Sequence, residues 1–234
     1  MQVYTTEDEQ VEAIKRWFLD YGRYVLTGIL VAAVAAFGVY SWKQRQAHQT
    51  AAASLEYQSL LQALQQVDAN TTTSKEALTT ARHFADTLKN DFAATTYAQF
   101  AALFKAKLAV QENDLAQAES ELKWVLDKKP STEIKVTTQL RLARVLNAKG
   151  DTAGALALLD EKEAGSYASA FVQLKGDIAL AKGDVSSART EYEKAQELER
   201  KMTSPINDPL LEMKLRDLQA GDKSAADKKA QGAS

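Results

Sequence analysis

The stretch GDVSSARTEYEKA, Gly183 to Ala195, decides how this chain is read. Ala188 comes five residues after Gly183, and the large ring of Tyr192 comes four residues after that. The same frame recurs upstream in GDTAGALALLD, with Gly150, Ala155 and Leu159. It recurs again in NDLAQAESELKWVLDKKP, with Asn113, Ala118, Leu122, Val125 and Pro130. Each position has a physical reason. Gly or Asn ends a helix because it tolerates the left-handed conformation there. The alanine sits where two helices cross closely, and a larger side chain would hold them apart. The large residue one turn on fills the groove between neighbours. Pro130 stops the helix that precedes it.

Asn113 to Gly150 is 37 residues and Gly150 to Gly183 is 33, both close to the 34-residue period of a tetratricopeptide repeat. A first helix is expected before each turn: Thr95 to Gln111, Glu133 to Lys149 and Tyr167 to Lys182. Ala106, Ala143 and Gly176 hold equivalent small-residue positions in these helices. Leu55 to Asp91 reads as a degenerate fourth unit, with Ala81, Ala85 and Leu88. Within it a helix over Ala51–Val67 is followed by the polar break Asn70–Ser74, and Ser74 is the expected N-cap of the next helix. Asp208-Pro209 starts a terminal helix through Leu218 that caps the array. Residues 220–234 are polar and are expected to be disordered. The chain has only 3 Pro and 10 Gly among 234 residues, which favours helices over turns. The expected fold class is all-α: one N-terminal transmembrane helix, then a tetratricopeptide-repeat-like α-solenoid.

The span is YVLTGILVAAVAAFGVYSW, residues 24–42, which carries no charge between Arg23 and Lys43. As a helix it covers roughly 28 Å, against about 30 Å of hydrocarbon. Trp17, Phe18, Tyr21 and Tyr24 precede it and Tyr40 and Trp42 close it, as in interfacial aromatic belts. Ala33-Val34-Ala35 resembles a signal-peptide cleavage site. The long leader and the apolar run continuing to Val39 favour an uncleaved anchor. Lys15, Arg16 and Arg23 before the span outnumber Lys43 and Arg45 after it, a slight bias toward a cytoplasmic N-terminus. The expected order is a cytoplasmic segment 1–23, the span 24–42, a periplasmic domain 43–219 and the tail. Gly28, Ala32 and Ala36 form a small-residue stripe where a neighbouring helix can approach, or simply belong to an alanine-rich span. Val11, Ile14, Phe18 and Tyr21 share a face that either lies on the membrane surface or extends the anchor.

Composition and motifs argue against chemistry. The 29 basic and 31 acidic residues nearly cancel, unlike a nucleic-acid binder. With no cysteine there is no disulfide, thiolate metal site or cysteine nucleophile. His48 and His83 lack metal-ligand spacing, and no phosphate loop, GxSxG or HExxH occurs. No enzyme, metal site or cofactor is expected. What remains is a protein-binding surface on the first helices: Phe100, Leu103, Lys107 and Val110, then Leu140, Arg144 and Asn147, then Gln173, Asp177 and Leu180. These residues either line a groove for a polypeptide or belong to the core under the Leu55–Val67 helix.

The leader EDEQVEAIKRWFLDYG before one span, together with QLRLARVLNAKGDTAGALALLD and LKGDIALAKGDVSSARTEYEKA, resembles the YfgM family of ancillary SecYEG translocon subunits. The likeness runs to about Leu218. It implies a single-pass bacterial inner-membrane protein with a cytoplasmic N-terminus and a periplasmic repeat domain. It also implies association with the SecYEG translocon and with the membrane-anchored periplasmic chaperone PpiD, and a role in passing exported polypeptides to the chaperone network. A cytoplasmic stress-response regulator is a further implied partner of the N-terminal segment. The alternative is a structural scaffold that joins envelope proteins without binding clients.

Overall fold

The computed structural model describes residues 7–67, 72–202 and 208–231. These form nine α-helices with no strand among the described residues: α1 (Glu7–Gln65), α2 (Thr72–Asp91), α3 (Thr96–Gln111), α4 (Leu115–Asp127), α5 (Thr132–Ala148), α6 (Thr152–Ala157), α7 (Ala168–Ala181), α8 (Val185–Arg200) and α9 (Pro209–Gln231). The chain divides into two compact units, Met1–Ser54 and Leu55–Ser234. α1 runs without a break from Glu7 to Gln65, through residue 43.

The second unit is built on three copies of one turn. Asn113, Gly150 and Gly183 have φ of 60°, 88° and 82°, the left-handed backbone that the repeat pattern demands. In each copy the following aspartate N–H donates back to the carbonyl five residues before it, in the last turn of the first helix: Asp114 to Ala109, Asp151 to Leu146 and Asp184 to Ala179, at 2.8, 2.9 and 3.0 Å. This is the Schellman pattern. The same aspartate then turns its side chain forward. Its Oδ1 accepts from the N–H of Gln117, Gly154 or Ser187, at 2.9, 2.9 and 3.0 Å. One dipeptide therefore closes one helix and caps the next, which brings the two helices back to back.

Packing follows the frame. Ala118, Ala155 and Ala188 are fully buried, as are Leu122, Leu159 and Tyr192 to within 2%. Ala106, Ala143 and Gly176 are buried opposite them. At Gly176 the approach is closest: an added Cβ would lie 2.5 Å from the Tyr192 ring. The degenerate unit shows the same device, with Ala81, Ala85 and Leu88 wholly buried. α3 packs on α2 and α4, α5 on α4 and α6, and α8 on α7 and α9. A continuous core from Ala106 to Ile178 runs through α3 to α7. Charged seams reinforce it. Glu121, 5% exposed, receives Lys89 at 2.5 Å and Lys105 at 3.1 Å, and Glu161 receives Lys175 and Lys194 at 2.8 and 2.7 Å.

Three local features differ from expectation. Ser74 is inside α2, which begins at Thr72, so it is not the N-cap; Asn70 and Thr71 lie outside the described residues. The second repeat has a second helix of only six residues, followed by turns and a 3-10 segment at Gly165–Tyr167. α9 starts at Pro209 as expected, with Leu210 N–H donating to Asp208 Oδ1 at 2.9 Å, but it continues to Gln231 through residues expected to be disordered.

The described residues of the first unit, 7–54, are helical. Ile29, Leu30, Val31, Val34 and Phe37 are exposed around it, and a helix that is apolar on every side is at home in lipid rather than water. α1 is long and apolar enough to cross a membrane. Gly28, Ala32 and Ala36 are exposed, and a Cβ added at Gly28 would meet nothing. Phe18 and Tyr21 are exposed too; the side chains of Val11 and Ile14 lie outside the described residues.

Candidate functional site: a groove over the first two repeats

The first helices of the first two repeats, α3 and α5, line a groove of about 880 Å³. α3 contributes Phe100, Leu103, Phe104, Lys107 and Val110. α5 contributes Ile134, Thr137, Arg141 and Arg144. Both sets are helical stripes, spaced by three or four residues, so one face of each helix turns to the groove. Tyr57, in the last turns of α1, stacks at a tilt against Tyr97 and Phe100 with ring centroids 5.4 and 5.8 Å away. Burial, and then the neighbouring Tyr97, push the Tyr57 phenol above its ordinary pKa, so it is a neutral hydrogen-bonding group. Tyr167, 38% exposed, completes the aromatic lining.

The ten expected binding residues separate into two groups. Phe100, Leu103, Lys107, Val110 and Arg144 line the groove. The other five do not. Leu140 is buried in the core. Asn147 is half-buried and Leu180 is exposed, both away from the lining. Gln173 and Asp177 are engaged by later helices. Gln173 Nε2 donates to Glu199 at 3.3 Å and to Asp208 at 3.0 Å. Asp177 Oδ1 accepts from the Tyr192 hydroxyl at 2.7 Å and from Lys214 Nζ at 2.5 Å. Burial and the Asp177 carboxylate raise the Tyr192 pKa, so its proton stays on the phenol. Lys214 also lies over the Tyr192 ring, 5.3 Å from its centroid.

The chain matches the family model for a tetratricopeptide repeat-like domain over residues 15–220. It is 33% identical over 195 residues to the ancillary SecYEG translocon subunit of Aggregatibacter actinomycetemcomitans, covering 83% of this chain and 91% of the relative. It is 29% identical to the proteins of that name from Escherichia coli K12, over 93% of this chain and 99% of the relative, and from Haemophilus influenzae, over 92% and 99%. The chain belongs to the ancillary SecYEG translocon subunit family. No solved structure matches it significantly. In this family member the resemblance read from the leader, span and repeats holds over most of the chain.

Four groove residues of this ancillary-subunit relative escaped the repeat register although their helices carry the signal. Phe104 is one turn after Phe100, and Ile134, Thr137 and Arg141 continue the Arg144 stripe toward the N-terminus of α5. Tyr57 and Tyr167 are different. They come from segments 43 residues before Phe100 and 23 after Arg144, and only the packed fold brings them to the groove.

Proposed function

We propose that this chain is an inner-membrane protein anchored by α1, with a cytoplasmic N-terminus and a periplasmic repeat domain, that works as an ancillary subunit of the SecYEG translocon. Its groove receives segments of exported polypeptides and passes them toward membrane-anchored periplasmic chaperones. The observation that carries this reading is the open groove of about 880 Å³ between α3 and α5, lined by aromatic and aliphatic side chains. Such a groove suits short apolar stretches of another chain. The kind of membrane complex comes from the relatives, which are named ancillary SecYEG translocon subunits. The role is one of binding, not turnover.

Photoreactive side chains placed at Phe104 and Thr137, in membranes actively exporting protein, test the reading. Exported chains and translocon subunits are the expected adducts, with a probe at exposed Lys162 as the control. Adducts with one folded envelope protein and none with exported chains would support a scaffold instead. No adduct at either position ends the proposal. Protease treatment of intact inner-membrane vesicles and of spheroplasts checks orientation; cleavage of the repeat domain from the cytoplasmic side would refute it.

A further inference from the structure

Ala106, Ala143 and Gly176 each precede their turn residue by seven positions, so Lys107, Arg144 and Asp177 are one register position in three repeats. In the third repeat that position carries a carboxylate, and the molecule neutralises it. α9 packs on α8 with Leu211, Leu215 and Leu218 in the core and sets Lys214 on Asp177. An amphipathic helix thus covers the third repeat, apolar face inward, with a charge opposite to that of its host. In the first two repeats the position is cationic, and Arg141 joins it in the groove. Among the described residues Lys107, Arg141 and Arg144 have no ion pair, whereas Lys105, Lys149 and Lys175 reach carboxylates on neighbouring helices or turns. Glu133 is the one acid in the lining.

Three unneutralised cations around an apolar floor are a complementary surface for an anionic partner. Resting on the client-binding reading above, we infer that the groove selects segments of exported polypeptides in which aromatic or aliphatic side chains are flanked by carboxylates. The apolar side chains seat on Phe100, Leu103 and Ile134. The carboxylates reach Lys107, Arg141 and Arg144, as Lys214 reaches Asp177 with the signs exchanged. Apolar segments flanked by lysine or arginine are disfavoured by like-charge repulsion.

The test uses the full-length protein in lipid nanodiscs and two fluorescent peptides that share one Leu/Phe core, one flanked by glutamates and the other by lysines. Fluorescence anisotropy at low ionic strength is expected to show about tenfold tighter binding of the glutamate-flanked peptide, the sum of three modest exposed pairs. The preference shrinks as salt is added. In K107E/R141E/R144E it is expected to reverse, with circular dichroism confirming an unchanged helical fold. The milder R141Q/R144Q, which keeps helix propensity, is expected to reduce the preference several-fold. Equal affinities for the two peptides, or a preference that survives both variants, overturn the charge selection while leaving the groove as a binding site. Failure of both peptides to bind overturns the client-binding reading itself.

Discussion

The third repeat and the first two repeats share a frame but end in different states. In the third, α9 lies against the array and register positions 173 and 177 are satisfied within the chain. In the first two, the corresponding Leu103 and Lys107, and Arg144, face an open groove. The lesson is that a repeat position carries no fixed role. The neighbouring helix decides whether it is structural or available. Where that helix brings a complementary side chain, the position belongs to the fold, and where it brings like charge and leaves space, the position is free for a partner.

Replacing residues on the sealed side has the largest expected effect. Tyr192→Ala removes a fully buried ring and one of the two hydrogen bonds to Asp177, and should destabilise the repeat domain by about 3–5 kcal/mol, read as a lower urea midpoint of the full chain in detergent. An unchanged midpoint would mean that the α7–α8 contact is looser than the packing implies. Gly176→Ala comes next, because its Cβ would meet the Tyr192 ring. A loss of about 1–3 kcal/mol is expected, and a neutral result would show that the ring moves aside freely.

The turns offer an internal control. Gly150→Ala forces a side chain into φ 88° and should cost about 1–2 kcal/mol. Asn113→Gly, at φ 60°, relieves the same restriction and should leave stability unchanged or raise it. Equal effects of the two would break the equivalence of the repeats.

Acid should loosen the docking of α9. Burial opposes ionisation of Asp208, but hydrogen bonds from Gln173 and from the N–H groups of Leu210 and Leu211 outweigh it and hold its pKa below the ordinary 3.8. A carboxylate with a depressed folded pKa contributes stability that is complete above its unfolded value and disappears as pH falls through the folded one. Hydrogen-exchange protection of the first turns of α9 should therefore fall once the pH drops below 3.8. Protection that stays constant to lower pH would detach Asp208 from the docking of α9. The smallest effect belongs to the open side. Val110→Ser, at a position 46% exposed, should shift stability by no more than about 0.5 kcal/mol while weakening peptide binding in the groove. A large stability loss there would reassign Val110 to the core.

Much of this architecture was legible from residue order because its causes are local. A left-handed Asn or Gly followed by Asp is a complete instruction for ending one helix and starting another, and it works the same way at 113, 150 and 183. Ser74 misled because capping preference does not exclude a polar residue from the first turns of a helix. Half of the expected residues line the groove, since the α3 and α5 stripes are periodic. Gln173 and Asp177 are instead engaged by later helices, because α9 is distant in sequence and its docking cannot be read from either residue alone.

By itself the sequence determined the helical class, the repeat frame, the turn chemistry and the uncharged stretch able to cross a membrane. All of these depend on backbone preferences and on periodicities within a few residues. Only the tertiary structure decided which register positions are sealed by α9 and which are left open. It also brought Tyr57 and Tyr167 to the groove and left its cations without an ion pair among the described residues. These outcomes depend on which side chains meet across helices, and the free energy of such meetings belongs to the packed pair rather than to either segment.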